Sequence, residues 1–92
     1  METIKMNNLL PIIDNVEFER ISGAEWYLIV NDMVCGQIYA EHYDMNGYAE
    51  ELDNMDGLNI EDLAWTINNY VNEYKYIEPT KEELKEAILK AI

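Results

Sequence analysis

Few side chains in this sequence can do covalent chemistry, and their spacing assembles no catalytic group. Cys35, His42 and Ser22 are each the sole residue of their type. A thiol–imidazole nucleophile needs the sulfur and the ring within hydrogen-bond reach. Cys35 and His42 are seven positions apart on a strand-like segment, which separates them by roughly 20 Å at ~3.3 Å per residue. Ser22 lies in a Ser-Gly turn with no histidine beside it. Cys35 therefore reads as a small buried apolar side chain. A lone cysteine makes no internal disulfide, and the absence of CxxC or any Cys/His cluster excludes a structural zinc site. The four glycines are too scattered to cradle a phosphate.

A calcium loop of the EF-hand kind needs oxygen ligands one, three and five positions along and a glycine at six. In the frame ending at Gly57 the first ligand would be Leu52, which cannot bind a cation. In the frame ending at Gly47 the ligands would be His42, Asp44, Asn46 and Asp53, with the wrong residue types at both ends. Carboxylates are so common here that a pair able to act as acid and base carries no information. The expectation is a protein that is not an enzyme and that holds neither metal nor cofactor.

The distribution of charge is the informative feature. There are 19 acids and 6 bases, for a net charge of −13. The bases are Lys5, Arg20, Lys75, Lys81, Lys85 and Lys90, so residues 21–74 contain neither lysine nor arginine. That stretch of 54 residues holds eleven acids, eight of them between Glu41 and Asp62. Unbalanced charge repels itself and opposes compaction, and no neighbour in sequence offers a counterion. A basic partner would account for it. This balance excludes nucleic-acid binding through a basic face and disfavours docking to anionic lipid, so neither nucleic acid nor membrane is expected as a direct partner. The plain alternative is a solvated surface, with Asp44 and Asp62 favouring helix N-termini and Glu50, Glu51 and Glu61 on exposed helix positions.

In charge, size and lack of a catalytic motif the chain is similar to the acidic DNA-mimic inhibitors carried by phages and mobile elements, such as anti-restriction and anti-CRISPR proteins. The resemblance implies an inhibitor that occupies the basic nucleic-acid-binding surface of a nuclease or defence effector. The residues expected to meet the partner are Glu41, Asp44, Glu50, Glu51, Asp53, Asp56, Glu61 and Asp62, with Tyr39, Tyr43 and Tyr48 as anchoring aromatics. An immunity protein or antitoxin against a basic toxin would use the same electrostatics. A small homodimeric adaptor would instead use an apolar seam around Trp65 and Tyr70.

These residues need elements to position them. Residues 2–13 fit either a short helix near 3–9 or an extended arm, with Pro11 interrupting a regular helix. From Asn15 the apolar period is two: Val16 and Phe18 alternate with Glu17 and Glu19, and Trp26, Leu28 and Val30 share one face. Asn31-Asp32 between apolar runs predicts a two-residue hairpin. That hairpin sets Val30 opposite Met33, Leu28 opposite Cys35 and Tyr27 opposite Gly36. The result is a three-stranded antiparallel meander over about 15–41.

Beyond it the period becomes helical. Tyr48, Leu52 and Met55 predict a helix over about 47–55, ended by Gly57. Ile60, Leu63, Ala64, Ile67, Tyr70, Val71 and Tyr74 predict one helix over about 60–76, with Asn59 as its N-cap. Trp65 falls beside that stripe. Thr80-Lys81-Glu82-Glu83 is a capping box, opening a last helix over about 81–91. The fold class expected is α+β, with two or three helices packed on one face of the meander.

With 92 residues, 49% of them hydrophobic, the chain makes a single domain with a modest core. The longest apolar runs fall well short of the ~20 residues that span a bilayer. No charged segment followed by an apolar one opens the sequence. A soluble, unprocessed protein of the cytoplasm is expected, the host's cytoplasm if the gene is phage-borne.

Overall fold

Asn31 and Asp32 reverse the chain with φ of 48° and 68°. Positive φ at both central residues is the pattern of a type I′ turn, whose twist suits a hairpin. The computed structural model describes residues 2–6, 13, 15–40, 45–54, 60–69, 75–78 and 80–92, with backbone alone at 60, 68, 69 and 75–78. The strands are β1 (Thr3–Met6), β2 (Val16–Ser22), β3 (Glu25–Val30), β4 (Met33–Ala40) and β5 (Lys75–Glu78). The helices are α1 (Met45–Asp53), α2 (Ile60–Asn69) and α3 (Lys81–Ala91). The sheet is antiparallel in the order β1-β2-β3-β4-β5. The class is α+β.

The meander of three strands is thus the centre of a five-stranded sheet. β1 pairs with β2, setting Ile4 opposite Phe18 and Met6 opposite Val16. The extended alternative for the N-terminal segment is the one adopted at 3–6. At the other edge, β5 replaces the expected end of the long helix: α2 stops at Asn69, and Lys75 and Tyr76 lie in a strand beside Ala40 and Tyr39. Tyr76 and Ile77 are aromatic and β-branched, residue types that suit a strand. Pairing with the free edge of β4 satisfies the backbone there. Tyr70, Val71 and Tyr74 themselves lie outside the described residues, as do Met55, Gly57 and Asn59.

The hairpin closes as expected at Val30 and Met33, then slips by one residue. Ile29 faces Val34, but Leu28 faces Gly36 and Tyr27 faces Gln37. Cys35 is the extra residue, a β-bulge that turns its side chain into the core. Tyr27 therefore does not cover Gly36. The bulge also lets Met33 and Val34 stay exposed while Ile38 and Ala40 face inward.

One contiguous core joins one face of the sheet to all three helices. From the strands come Met6, Val16, Phe18, Trp26, Leu28, Val30, Cys35, Ile38 and Ala40. The helices contribute Met45, Tyr48, Ala49 and Leu52, then Leu63, Ala64 and Ile67, then Leu84 and Ile88. Arg20 closes the rim, its guanidinium carbon 4.9 Å from the centroid of the Trp26 ring. α1 packs against β1, α3 against β4, and α2 against α3 and β5. α1 begins at Met45 rather than Gly47, because Met45 and Ala49 join Tyr48 and Leu52 on the buried face. α3 has the capping box that its sequence predicts: Thr80 Oγ1 accepts from the Glu83 N–H, and the Glu83 carboxylate accepts from the Thr80 N–H.

Candidate acidic surface

The backbone of α1 sends one face to the core and leaves the other to solvent, and Glu50 and Glu51 stand on the solvent side. Asp53, at its end, is half-buried. Glu61 and Asp62 occupy the first turn of α2, where the helix dipole favours negative charge, and both are exposed. Glu41, Asp44, Asp56 and Tyr43 lie outside the described residues. So does most of the candidate cation frame before Gly47. Among the described residues no group of three or more His, Cys, Asp or Glu side chains could hold a metal ion.

The described acids of this cluster are divided by the fold. α1 rests on β1 and α2 on β5, the two opposite edges of the sheet. Four inter-strand steps of ~4.8 Å put those edges about 19 Å apart. Glu50 and Glu51 therefore belong to one flank of the domain and Glu61 and Asp62 to the other.

Two expectations are corrected here. Tyr48 does not meet a partner: it is 2% exposed, and its ring stacks on Phe18. The i, i+4, i+7 spacing that marks a helix also marks its buried face, and Tyr48 heads that stripe. Burial, and secondarily the charge of Glu51, pushes its phenol well above the ordinary range, so it stays neutral. Nor is the acidic stretch without a counterion. Lys85 of α3 reaches Glu61, with Nζ 3.8 Å from Oε2. Packing of α2 on α3 supplies this cation from 24 positions away, beyond the reach of local sequence reasoning.

Tyr39, by contrast, is exposed, at 43%. It stands on the sheet face opposite the core, beside Glu25 in the register of β3 and β4. In sequence Tyr39 belongs with the acids that follow it, whereas strand pairing sets it beside Glu25. The sequence carries only part of this signal: alternation sets Glu17, Glu19, Glu25 and Tyr27 on one face, and the bulge at Cys35 brings Tyr39 to it.

Cys35 is buried among apolar side chains, and its sulfur lies 3.5 Å from the carbonyl oxygens of Met33 and Ala87. Burial pushes its thiol up, against a smaller opposing effect of a backbone hydrogen bond at Val30. It is a packing residue.

No protein family matches the chain, and no curated protein or solved structure matches it. No helix among the described residues is long and apolar enough to cross a membrane.

Proposed function

We propose that this protein is a non-catalytic inhibitor that occupies the nucleic-acid-binding surface of a basic enzyme or defence effector. The single observation that supports the reading most is the display of Glu50, Glu51, Glu61 and Asp62 to solvent by two helices whose other faces are committed to the core. These carboxylates compete with phosphates for Lys and Arg side chains of the partner. The longest dimension of the domain is 31 Å. Duplex DNA of that length presents about 18 phosphates at one charge per ~1.7 Å. The eleven acids of residues 21–74 amount to somewhat over half of that number, enough for a partial mimic. Attraction of this kind is long-range, speeds association and weakens with salt.

The test is affinity capture from a bacterial lysate at low salt, followed by a salt gradient. A nucleic-acid-binding enzyme released at moderate salt and displaced by DNA or RNA supports the reading. A partner that resists both shifts the account to an immunity protein or antitoxin, or to an adaptor. One observation favours the adaptor as a second reading: Trp65 is 51% exposed, and Trp65 and Leu89 each lie one helical turn beyond a member of the Glu61–Lys85 pair. Self-association that persists at high salt in sedimentation would mark that apolar seam as the working surface.

A further inference from the structure

We propose that the face of the sheet left open by the described helices, centred on Tyr27 and Tyr39, is the surface on which a basic protein partner docks. The inference rests on the reading above and adds to it where the contact is made. Residues Ile4, Met6, Val16, Phe18, Trp26, Leu28, Val30 and Ile38 face the helices. The residues between them face the other way. Among the described elements no helix covers this second face, since the buried residues of all three helices join the single core on the first.

Its composition differs from that of an ordinary solvated sheet. Across β3 and β4 run Tyr27, Ile29, Val34 and Tyr39, an aromatic and aliphatic strip. Val34 is 52% exposed. Ile29 is buried at 7% exposure yet is no part of the helix-side core. The strip is flanked by carboxylates: Glu19 lies opposite Tyr27, and Glu25 lies opposite Tyr39. Glu17 lies opposite Ile29, with Lys5 beyond it on β1 as the one base at that corner. Gln37 Nε2 donates to Glu25 Oε2 at 3.2 Å, which holds that carboxylate beside the Tyr39 position. An aromatic centre with a charged rim is the anatomy of a protein-binding surface.

Charge selects the occupant. A second copy of a chain carrying −13 is repelled, and so is nucleic acid. A protein surface that presents Arg or Lys around an apolar patch meets both the strip and its rim. The helix carboxylates stand over opposite edges and steer the approach, while the sheet face makes the lasting contact.

The experiment is an NMR titration of the isotope-labelled full chain with a blocked ten-residue peptide of alternating arginine and leucine, at low salt. Amide shifts centred on Glu17, Glu19, Tyr27, Gln37 and Tyr39 are expected. The double variant Glu25→Gln, Tyr39→Ser alters one half-buried and one exposed position of this face, neither in the helix-side core, and should weaken the peptide at least about tenfold. The quadruple variant Glu50→Gln, Glu51→Gln, Glu61→Gln, Asp62→Asn should shift it less. Shifts centred on α1 or α2, or equal losses in the two variants, overturn the sheet face while sparing the basic-partner reading. No binding at low salt counts against both.

Discussion

The ring of Tyr48 on α1 stacks on Phe18 of β2, with centroids 5.8 Å apart and planes 15° from parallel. This contact fastens the acidic helix α1 to β2, the strand beside the β1 edge. It makes Tyr48 a structural anchor, with Glu51 on the same helix still exposed. Truncation of Tyr48 to Ala should cost about 3–5 kcal/mol, as for other buried aromatics, measured by urea denaturation.

The same burial makes stability fall in alkali. The folded phenol ionises above its unfolded value of about 10. Between those two values the unfolded chain has lost a proton that the folded chain keeps. Stability due to Tyr48 is therefore complete below pH 10 and declines above it by about 1.4 kcal/mol per pH unit. The variant Tyr48→Phe should lack this component, seen as a shallower loss of melting temperature between pH 10 and 11.

Thr80 caps α3 through its hydroxyl, and Glu83 reciprocates. Replacing Thr80 with Ala should cost about 1 kcal/mol. In a domain of this size that lowers the melting temperature by roughly 4–8 °C, measurable by circular dichroism.

The Glu61–Lys85 pair should behave differently. Both side chains reach solvent, and exposed ion pairs contribute little. Glu61→Gln should change stability by less than about 0.5 kcal/mol while removing one charge from the α2 flank, so it separates effects on binding from effects on folding.

Cys35 should be inert in the native protein. Its thiol is buried and its ionisation is suppressed. A disulfide reagent should modify it at least about a hundredfold more slowly in buffer than in denaturant, with a rate set by opening of the β4–α3 region. Rapid native modification would contradict this packing.

Where local chemistry decides the structure, the sequence was a good guide. Asn31-Asp32 specifies its turn, and Thr80 to Glu83 specifies a helix start, because each acts within four residues. The elements that local sequence does not specify are settled by distant partners. Lys75–Glu78 is four residues long, too short to show a period of two, and β4 is what makes it a strand. Thr3–Met6 gains its strand character from β2 in the same way. The bulge at Cys35 keeps the hydrophobic pattern intact while moving the register, so alternation alone could not reveal it. Clustering of acids along the chain likewise says nothing about proximity once α1 and α2 settle on opposite edges. Tyr39 and Glu25 became neighbours only through β3–β4 pairing.

The most direct test of the account is the salt dependence of binding to the captured partner. Affinity of the wild-type chain and of the Glu50→Gln, Glu51→Gln, Glu61→Gln, Asp62→Asn variant would be measured across a range of ionic strength. The account predicts that wild-type affinity falls steeply with salt, and that the variant associates about tenfold more slowly with a shallower salt slope. Equal affinities with equal slopes would contradict it and remove the acidic surface from any role in recognition.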